Sequence, residues 1–596
     1  MLIFKELFAI MPKINKGSIM ITDPVKKAKE WAENIYFDQE SRNEILDLLS
    51  KNDLKEITER FHSDLEFGTG GLRSIIGFGS NRINIYTIRK ATQALANEIL
   101  KSNNKSPKVV ISYDSRRFSF EFAKETASVL AANNIKGYIF PKLNPVPLLS
   151  FAVRELKADA GVMITASHNP STYNGYKVYW SDGCQVTPPI DKNIIANYQA
   201  IINFNQVKTM EFPVAFQKGL IDWVPRSTED SYFEKVKTST LNPELCKEKG
   251  QSLKIIYTPI HGTGLIPCER VLKEKGFSNL LIVQEQSKPD SSFSTVKYPN
   301  PEDPQALSMA VDLMKKENGD IVFGTDPDTD RLGVAVIKNK EVFYPNGNQI
   351  GILMLHYILS NSKLPKNPFI IKTIVTTELL SKIAKSFGVK TYDTLTGFKW
   401  ICAKLNELDE SGFLFATEES FGYLNHPFVR DKDGVNSVAL MAEVALWNKI
   451  RGKDLIDALD EIYEKFGFSH ESLLSLDYFG KEGSEKINRI MDFFRKNPKI
   501  KILDEEIEKI EDYQSGIITN VIDGSLEKLN FPKSNVLGLN FKSKNKIYLR
   551  PSGTEPKIKF YLMIVETEGS LSEKKQKAFE RTKNITKFLR DSSEKA

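Results

Sequence analysis

Asp326, Asp328 and Asp330 alternate in the stretch GTDPDTDR, directly after the apolar run IVF. In extended backbone alternate side chains share a face, so three carboxylates at this spacing point one way and offer a divalent cation three hard oxygen ligands. Without a cation they would repel. An EF-hand loop does not fit, because its sixth position would be Arg331 instead of glycine and its twelfth Ile337 instead of glutamate. A solvated acidic turn is the plain alternative, and three acids plus Arg331 at the end of a strand weigh against it.

A second cluster closes the run GVMITASHNP, where Val162-Met163-Ile164 gives way to small polar residues around Ser167. Ser, His, Asn and Pro are also turn-formers, so Ser167 reads as a turn residue or as a nucleophile. The G-x-S-x-G elbow of esterases is missing and no triad partner is visible, so a serine that meets a metal and phosphates suits phosphoryl transfer better than acyl transfer. YLRPSGTEPKIKF supplies an anion grip: Arg550 presents a guanidinium fork, and Ser552, Gly553 and Thr554 offer hydroxyls and backbone N–H groups. A Ser-Gly hairpin turn is the alternative there. FATEESFGY places Glu418, Glu419 and Ser420 after a strand, and LTGFKW places Gly397 and Lys399 after a shorter one. Paired acids accept hydrogen bonds from sugar hydroxyls, although adjacent glutamates are more often a solvated surface pair.

These clusters need elements to hold them. From Asp23 to about Phe61 the pattern is helical, with Trp31, Ile35 and Tyr36 expected on one face and Ile45, Leu46, Leu48 and Leu49 on a second stripe. KVVISYDSR, GYIFP and AGVMITASHNP then alternate with helical stretches, the βα pattern of a mostly parallel sheet. The alternation restarts at LKIIYTPIHGTG and at PFIIKTIVTT, whereas the last stretch groups strands ahead of a final helix. The expected architecture is α/β throughout: a helical extension over 1–60, three similar α/β mixed-sheet domains over 61–225, 226–343 and 344–485, and a C-terminal α+β domain over 486–596. Ligands of parallel α/β sheets bind beyond the carboxyl ends of the strands, where each polar cluster falls, so a central cleft is expected.

The 596 residues are 41% hydrophobic and 27% charged, an ordinary globular balance. Lys and Arg exceed Asp and Glu by 82 to 76, too thin a surplus for a nucleic-acid footprint. Cys184, Cys246, Cys268 and Cys402 lie far apart without CxxC spacing, which argues against zinc or a disulfide framework and for a reducing, cytoplasmic compartment. Lys5 and Glu6 interrupt an N-terminal apolar stretch too short for a signal peptide, no segment is long and apolar enough to span a membrane, and either Met1 or Met20 serves as the start.

Taken in this order, TASHNP, GTDPDTDR, EESFG and RPSGTEP resemble the four signature loops of the α-D-phosphohexomutase superfamily, one per domain. The resemblance runs from about Phe67 to about Ile564, and FGTGGLR and YDSRR are most similar to its phosphoglucomutase/phosphomannomutase branch, which includes phosphopentomutase and glucose-1,6-bisphosphate synthase relatives. It implies a phosphoserine at Ser167 and Mg2+ held by Asp326, Asp328, Asp330 and the phosphate of that serine. It further implies Arg73, His168 and Lys177 around the serine, where they assist proton transfer and charge neutralisation, with Arg331 supporting the metal loop. Glu418 and Ser420 would contact sugar hydroxyls, Gly397 and Phe398 would orient the sugar, and Arg550, Ser552, Gly553 and Thr554 would clamp the distal phosphate.

Two departures stand out: Gly68-Thr69-Gly70-Gly71 replaces a GTAG-like opening, and EESFGY lacks a histidine of the sort that bacterial phosphomannomutases carry nearby, which moves the acid/base role toward Lys177 or His261. The implied activity interconverts sugar 1- and 6-phosphates, glucose first and mannose second, with glucose 1,6-bisphosphate as activator. The partner is a small-molecule sugar phosphate, with neither nucleic acid nor membrane. Pentose mutase and bisphosphate synthase activities are alternatives within the branch. From other classes come a Mg2+-dependent phosphatase using one of the aspartates, whose D-P-D-T-D order departs from the haloacid-dehalogenase-like pattern, and a non-catalytic sugar-phosphate sensor.

Overall fold

The computed structural model describes residues 23–68, 71–102, 104–478, 480–498, 500–503, 505–552 and 557–595. Gly553, Thr554 and both candidate start methionines lie outside the described residues.

Apolar runs become buried strands, and the polar residues that follow them turn into the space between sheets. The first sheet has the order β1-β5-β4-β2-β3-β6, formed by β1 (Gly71–Ile75), β2 (Lys108–Tyr113), β3 (Lys136–Ile139), β4 (Ala160–Ile164), β5 (Tyr173–Trp180) and β6 (Ile221–Trp223). Its centre is parallel, β2 lying between β3 and β4, while β5 runs antiparallel to both β4 and β1. The second sheet comprises β7 (Ile255–Thr258), β8 (Leu280–Ile282), β9 (Ile321–Thr325), β10 (Leu332–Lys338) and β11 (Glu341–Phe343). In the third, β12 (Phe369–Thr373) is flanked in parallel by β13 (Lys390–Thr394) and β14 (Phe413–Glu418), and β15 (Gly422–Leu424) closes antiparallel on β14.

The fourth sheet is antiparallel in every pairing. Its edge strand, Phe468–Asp477, comes from ahead of the expected boundary at 485, because it hydrogen-bonds in continuous register to Lys557–Glu566, from Phe468 opposite Glu566 to Asp477 opposite Lys557. The charged stretch after residue 503 also supplies a strand, Ile507–Asp512, whose Ile507 and Ile510 are buried. The final helix, Leu571–Lys595, buries Ala578, Ile585 and Leu589 in the same core.

Three helices, Pro24–Glu33, Gln39–Ser50 and Leu54–Phe61, form the N-terminal extension among the described residues. The expected face through Trp31, Ile35 and Tyr36 does not form. Asn34 leaves the helix in extended backbone (φ −79°, ψ 116°), so the helical period ends there and Ile35 is 87% exposed. Phe37 takes the inner place and stacks on Trp31 with ring centroids 3.7 Å apart. On the second helix Ile45 is buried whereas Leu46 is exposed.

One apolar core runs through all four sheet units, and the helix Gly434–Ile450 is buried along most of its length within it. Asp433 caps this helix by accepting from the Asn436 amide at 2.9 Å, and also accepts from Tyr232 Oη at 2.9 Å and lies 3.0 Å from His426 Nε2. The preceding residues latch the third unit to the first: Tyr179 Oη and Gln185 Nε2 donate to Asp431 at 2.8 and 2.9 Å, and the Arg430 amide donates to Ser150 Oγ at 2.8 Å. This helix and the loop over 326–330 meet so closely that a Cβ on Gly434 would lie 2.5 Å from the Thr329 carbonyl oxygen. Gly434→Ala is therefore expected to cost about 1–3 kcal/mol by overpacking, read as a lower urea midpoint together with reduced activity. An unchanged midpoint would show that the helix can slide away from the loop.

Candidate active site

Ser167 is held in a strained turn. The all-buried strand β4 ends at Ile164, and Ser167 adopts φ +52°, the left-handed region that costs a non-glycine residue energy. Its amide donates to Thr165 Oγ1 at 2.8 Å, and its side chain, 3% exposed, donates to Asp326 Oδ2 at 2.8 Å. His168 Nδ1 is 3.2 Å from the same hydroxyl. Burial, reinforced by the charges of Arg331 and Arg73, keeps the imidazole well below its usual range and hence neutral at pH 7. Arg73, on β1, reaches across to Asn169 Oδ1 at 2.9 Å.

The three aspartates converge, but not as an extended strand would bring them. Between β9 and β10 the chain makes a tight turn with Thr329 at φ +52°, and Asp326 Oδ1 accepts the amides of Asp330 and Arg331, both at 3.0 Å. The turn gathers one carboxylate oxygen from each of Asp326, Asp328 and Asp330 within 4.8 Å of one another, and all three residues are buried. Asp328 Oδ1 and Asp330 Oδ1 are buried without a hydrogen-bond partner. Orphaned anionic oxygens of this kind are costly, and a hard divalent cation satisfies them, so the donor set fits such an ion.

Cations from three sheet units surround the acids. Lys177, on β5, lies 2.7 Å from Asp328 Oδ2 and 3.4 Å from Asp330 Oδ2, and these charges hold its ammonium above the usual range against the pull of burial. Lys432 approaches Asp330 at 3.1 Å, Asp431 at 3.5 Å and Glu418 at 4.0 Å. Arg331 pairs with Glu302 and lies 3.8 Å from Asp330. Burial would raise Asp330, but Lys432, Lys177 and Arg331 outweigh it and hold the carboxyl well below the usual range. Burial and the neighbouring Asp330 and Asp328 push Asp326 well up.

A cleft of about 460 Å³ opens above this floor. Arg73, Ser167, His168 and Lys177 line it from the first unit, Asp330 and Arg331 from the second, Gly397, Phe398, Lys399, Trp400, Glu418 and Lys432 from the third, and Lys533, Ser534 and Arg550 from the fourth. Ser420 is not among the residues that line the cleft. Arg550 Nη1 is 3.4 Å from Tyr561 Oη, and the Ser552 amide donates to the Lys557 carbonyl at 2.8 Å; Gly553 and Thr554 lie outside the described residues. His261 is occupied elsewhere: Nδ1 is 3.0 Å from the Lys288 carbonyl and Nε2 is 2.8 Å from Thr295 Oγ1, so it takes no part in the cleft.

Sequence reasoning missed Lys432, Trp400, Lys533 and Ser534. For Lys432 a signal existed: RDKD sets four charges directly before a long apolar helix, a position where solvated charges are out of place. Lys533 and Ser534 sit in an unremarkable loop, and only the fold of the fourth unit brings them to the cleft.

Family models described as phosphoglucomutase/phosphomannomutase alpha/beta/alpha domains I, II and III match residues 64–204, 230–339 and 346–466. A phosphoglucomutase of Staphylococcus aureus is 39% identical over 512 residues, 85% of this chain and 91% of the relative. The chain belongs to the phosphoglucomutase/phosphomannomutase family. Among solved structures, a phosphoglucomutase/phosphomannomutase family protein of Burkholderia thailandensis aligns over 88% of this chain and 98% of its own, at TM-score 0.63 and 20% identity. The open form of parafusin, a phosphoglucomutase of Paramecium, aligns over 88% and 96% at TM-score 0.64 and 17% identity. These two establish the shared fold.

Two outcomes follow from the geometry. Asp328→Asn removes a charge from the trio while keeping its shape, so Mg2+ affinity measured by calorimetry is expected to fall at least about tenfold; undiminished affinity would place the cation elsewhere. Burial and the Glu418 charge push the Glu419 carboxyl from its ordinary 4.5 to about 7. The native state then binds a proton that the unfolded chain has released, so this group's contribution to stability declines as pH rises from about 4.5 through 7. Glu419→Gln should flatten thermal stability across that window relative to the unaltered protein; parallel curves would contradict the assignment.

Proposed function

We propose that the protein interconverts sugar 1-phosphates and sugar 6-phosphates, glucose phosphate first, by way of a phosphorylated Ser167 and a bisphosphorylated sugar. The observation that carries this reading is the Ser167 hydroxyl, 2.8 Å from Asp326 at the floor of a cleft whose far wall bears Arg550. Phosphoryl transfer depends on positioning and charge neutralisation more than on covalent chemistry, and this site is rich in both.

Arg550 holds the phosphate already on the sugar, while Glu418 accepts from sugar hydroxyls and Gly397-Phe398 set the ring's orientation. A free sugar hydroxyl oxygen then attacks the phosphorus on Ser167, the bond from phosphorus to Oγ breaks, and the proton lost by the sugar hydroxyl ends on Oγ, which becomes a hydroxyl again; neutral His168, beside Oγ, relays it, one ring nitrogen accepting a proton as the other gives one up. Lys177, Lys432, Arg73 and Arg331 balance the charge of the migrating group. A Mg2+ ion bound by Asp326, Asp328 and Asp330 would add electrostatic stabilisation of the phosphoryl oxygens. The bisphosphate turns end for end, Arg550 takes the newly formed phosphate, and Ser167 recovers the original one. Free glucose 1,6-bisphosphate would load the serine at the start.

A phosphatase that used Asp326 as its nucleophile would need that carboxylate free to attack, and it is committed through both oxygens to Ser167 and to two amides. The four cysteines are free and buried, which suits a reducing compartment and supports a cytoplasmic enzyme.

With Mg2+ and catalytic glucose 1,6-bisphosphate, glucose 1-phosphate is expected to turn over with higher kcat/KM than mannose 1-phosphate or ribose 1-phosphate. Ser167→Ala is expected to lose at least about 10³-fold in kcat. A preference for the pentose would redirect the assignment to a pentose mutase, and normal turnover by the alanine variant would remove the serine from the chemistry.

A further inference from the structure

The mutase reading requires Ser167 to present Oγ along a fixed line, yet its backbone is strained and its turn is built of small polar residues. Something must hold the turn, and a buried guanidinium does. Arg116 follows β2 and is 3% exposed. Its Nη2 donates to the carbonyls of Ser167 and Asn169, both at 2.5 Å, and its Nη1 to those of Pro170 and Tyr173 at 2.7 and 3.0 Å. Four carbonyls of one turn thus converge on one planar fork. Asp114, 3.3 Å from Arg116 Nε, accepts from Thr165 Oγ1 at 2.6 Å, and that hydroxyl in turn accepts the Ser167 amide at 2.8 Å.

Both backbone polar groups of Ser167 are therefore tied to a single buried ion pair, its carbonyl through Arg116 and its N–H through Thr165 and Asp114. The face of Phe293, from the second sheet unit, lies 4.9 Å from the guanidinium carbon. That ring covers the clamp with the unit that also carries the aspartates. Burial lowers the guanidinium to about 10, so it remains charged at neutral pH.

We infer that Arg116, with Asp114 and Thr165, is a positioning device that fixes the Ser167 turn for phosphoryl transfer and ties it to the metal-bearing unit through Phe293. Arg116 is not among the residues that line the cleft. A lysine carries the same charge but lacks the planar fork, so it cannot satisfy four carbonyls in this arrangement. Each carbonyl left unpaired in the half-buried turn favours relaxation of the strained φ, and a displacement of about 1 Å at a reacting atom is enough to cost about 100-fold in rate.

The inference rests on the mutase reading, and its test separates the two. Ser167 labelling by radiolabelled glucose 1,6-bisphosphate, and steady-state kinetics with glucose 1-phosphate, are measured for the unaltered protein, Arg116→Lys and Thr165→Val. Arg116→Lys is expected to lose about 100-fold in both kcat and the rate of Ser167 labelling, with KM changed by less than about threefold, because the distal phosphate grip is untouched. Thr165→Val, which breaks only the amide limb, is expected to lose about tenfold in kcat with an unaltered circular-dichroism spectrum. Wild-type kcat in Arg116→Lys, or a loss confined to KM, would overturn the clamp. Should Arg116→Lys fail to fold, Thr165→Val decides: reduced kcat supports the device and undiminished kcat overturns it. Absence of label on Ser167 in the unaltered protein would overturn the mutase reading and the inference with it.

Discussion

Three carboxylates buried within 4.8 Å of one another are a state that a protein interior resists, and the structure is organised to permit it. Two backbone amides and the Ser167 hydroxyl bind Asp326, Lys177 reaches Asp328, and Lys432 and Lys177 flank Asp330. The compensating groups come from three sheet units: the serine and Lys177 from the first, the acids and Arg331 from the second, Lys432 from the third. None of these units could hold the cluster alone, so assembly of the units and formation of the site are one event. Even then two carboxylate oxygens stay unmatched, which makes the cluster a receptor for a cation.

That constraint explains where the polar bonds between units fall. Residues 426–433 carry Lys432 into the site and at the same time anchor to the first unit through Tyr179, Gln185 and Ser150 and to the helix Arg226–Thr238 through Tyr232. A displacement of this segment would move the lysine and weaken the neutralisation of Asp330. The fourth unit contributes to the cleft differently. Besides the strand Phe468–Asp477 and the common core, it meets the third unit in a separate small apolar cluster in which Ile374, Val375 and Leu395 face Tyr513, Val536, Tyr548 and Tyr561. The cluster contains Leu395, two residues ahead of Gly397, and Tyr548, two residues ahead of Arg550, so packing links the loops that carry Gly397 and Arg550 to the cleft.

The polar loops that meet in the cleft were legible in the sequence because each follows an apolar run, and where a buried strand ends, short polar residues must face a cavity or solvent. The way the aspartates converge was not legible. Alternation suggested an extended strand, whereas the Asp326 carboxylate accepts two amides and folds the segment into a turn. Hydrogen bonds from a side chain back to the chain leave no periodicity to read. Ile35 continued a helical pattern that Asn34 interrupts, and Phe468–Asp477 carried no mark of the distant strand it pairs with. Lys177 was expected near the serine, and the structure places its ammonium on Asp328 and Asp330. Arg116 stood in view inside YDSRR, but four carbonyls gathered from residues 167 to 173 appear only once the turn is built.

The central claim is that the hydroxyl facing the acidic cluster is the site where phosphate rests between the two halves of the reaction. Mass spectrometry of the peptide containing Ser167, taken before and after a chase with excess glucose 6-phosphate, tests it most directly. The account predicts a single phosphate on Ser167 after exposure to glucose 1,6-bisphosphate, transferred stoichiometrically to the sugar in the chase. Phosphate found on an aspartate, or a Ser167 that stays unmodified while the protein turns substrate over, would contradict it.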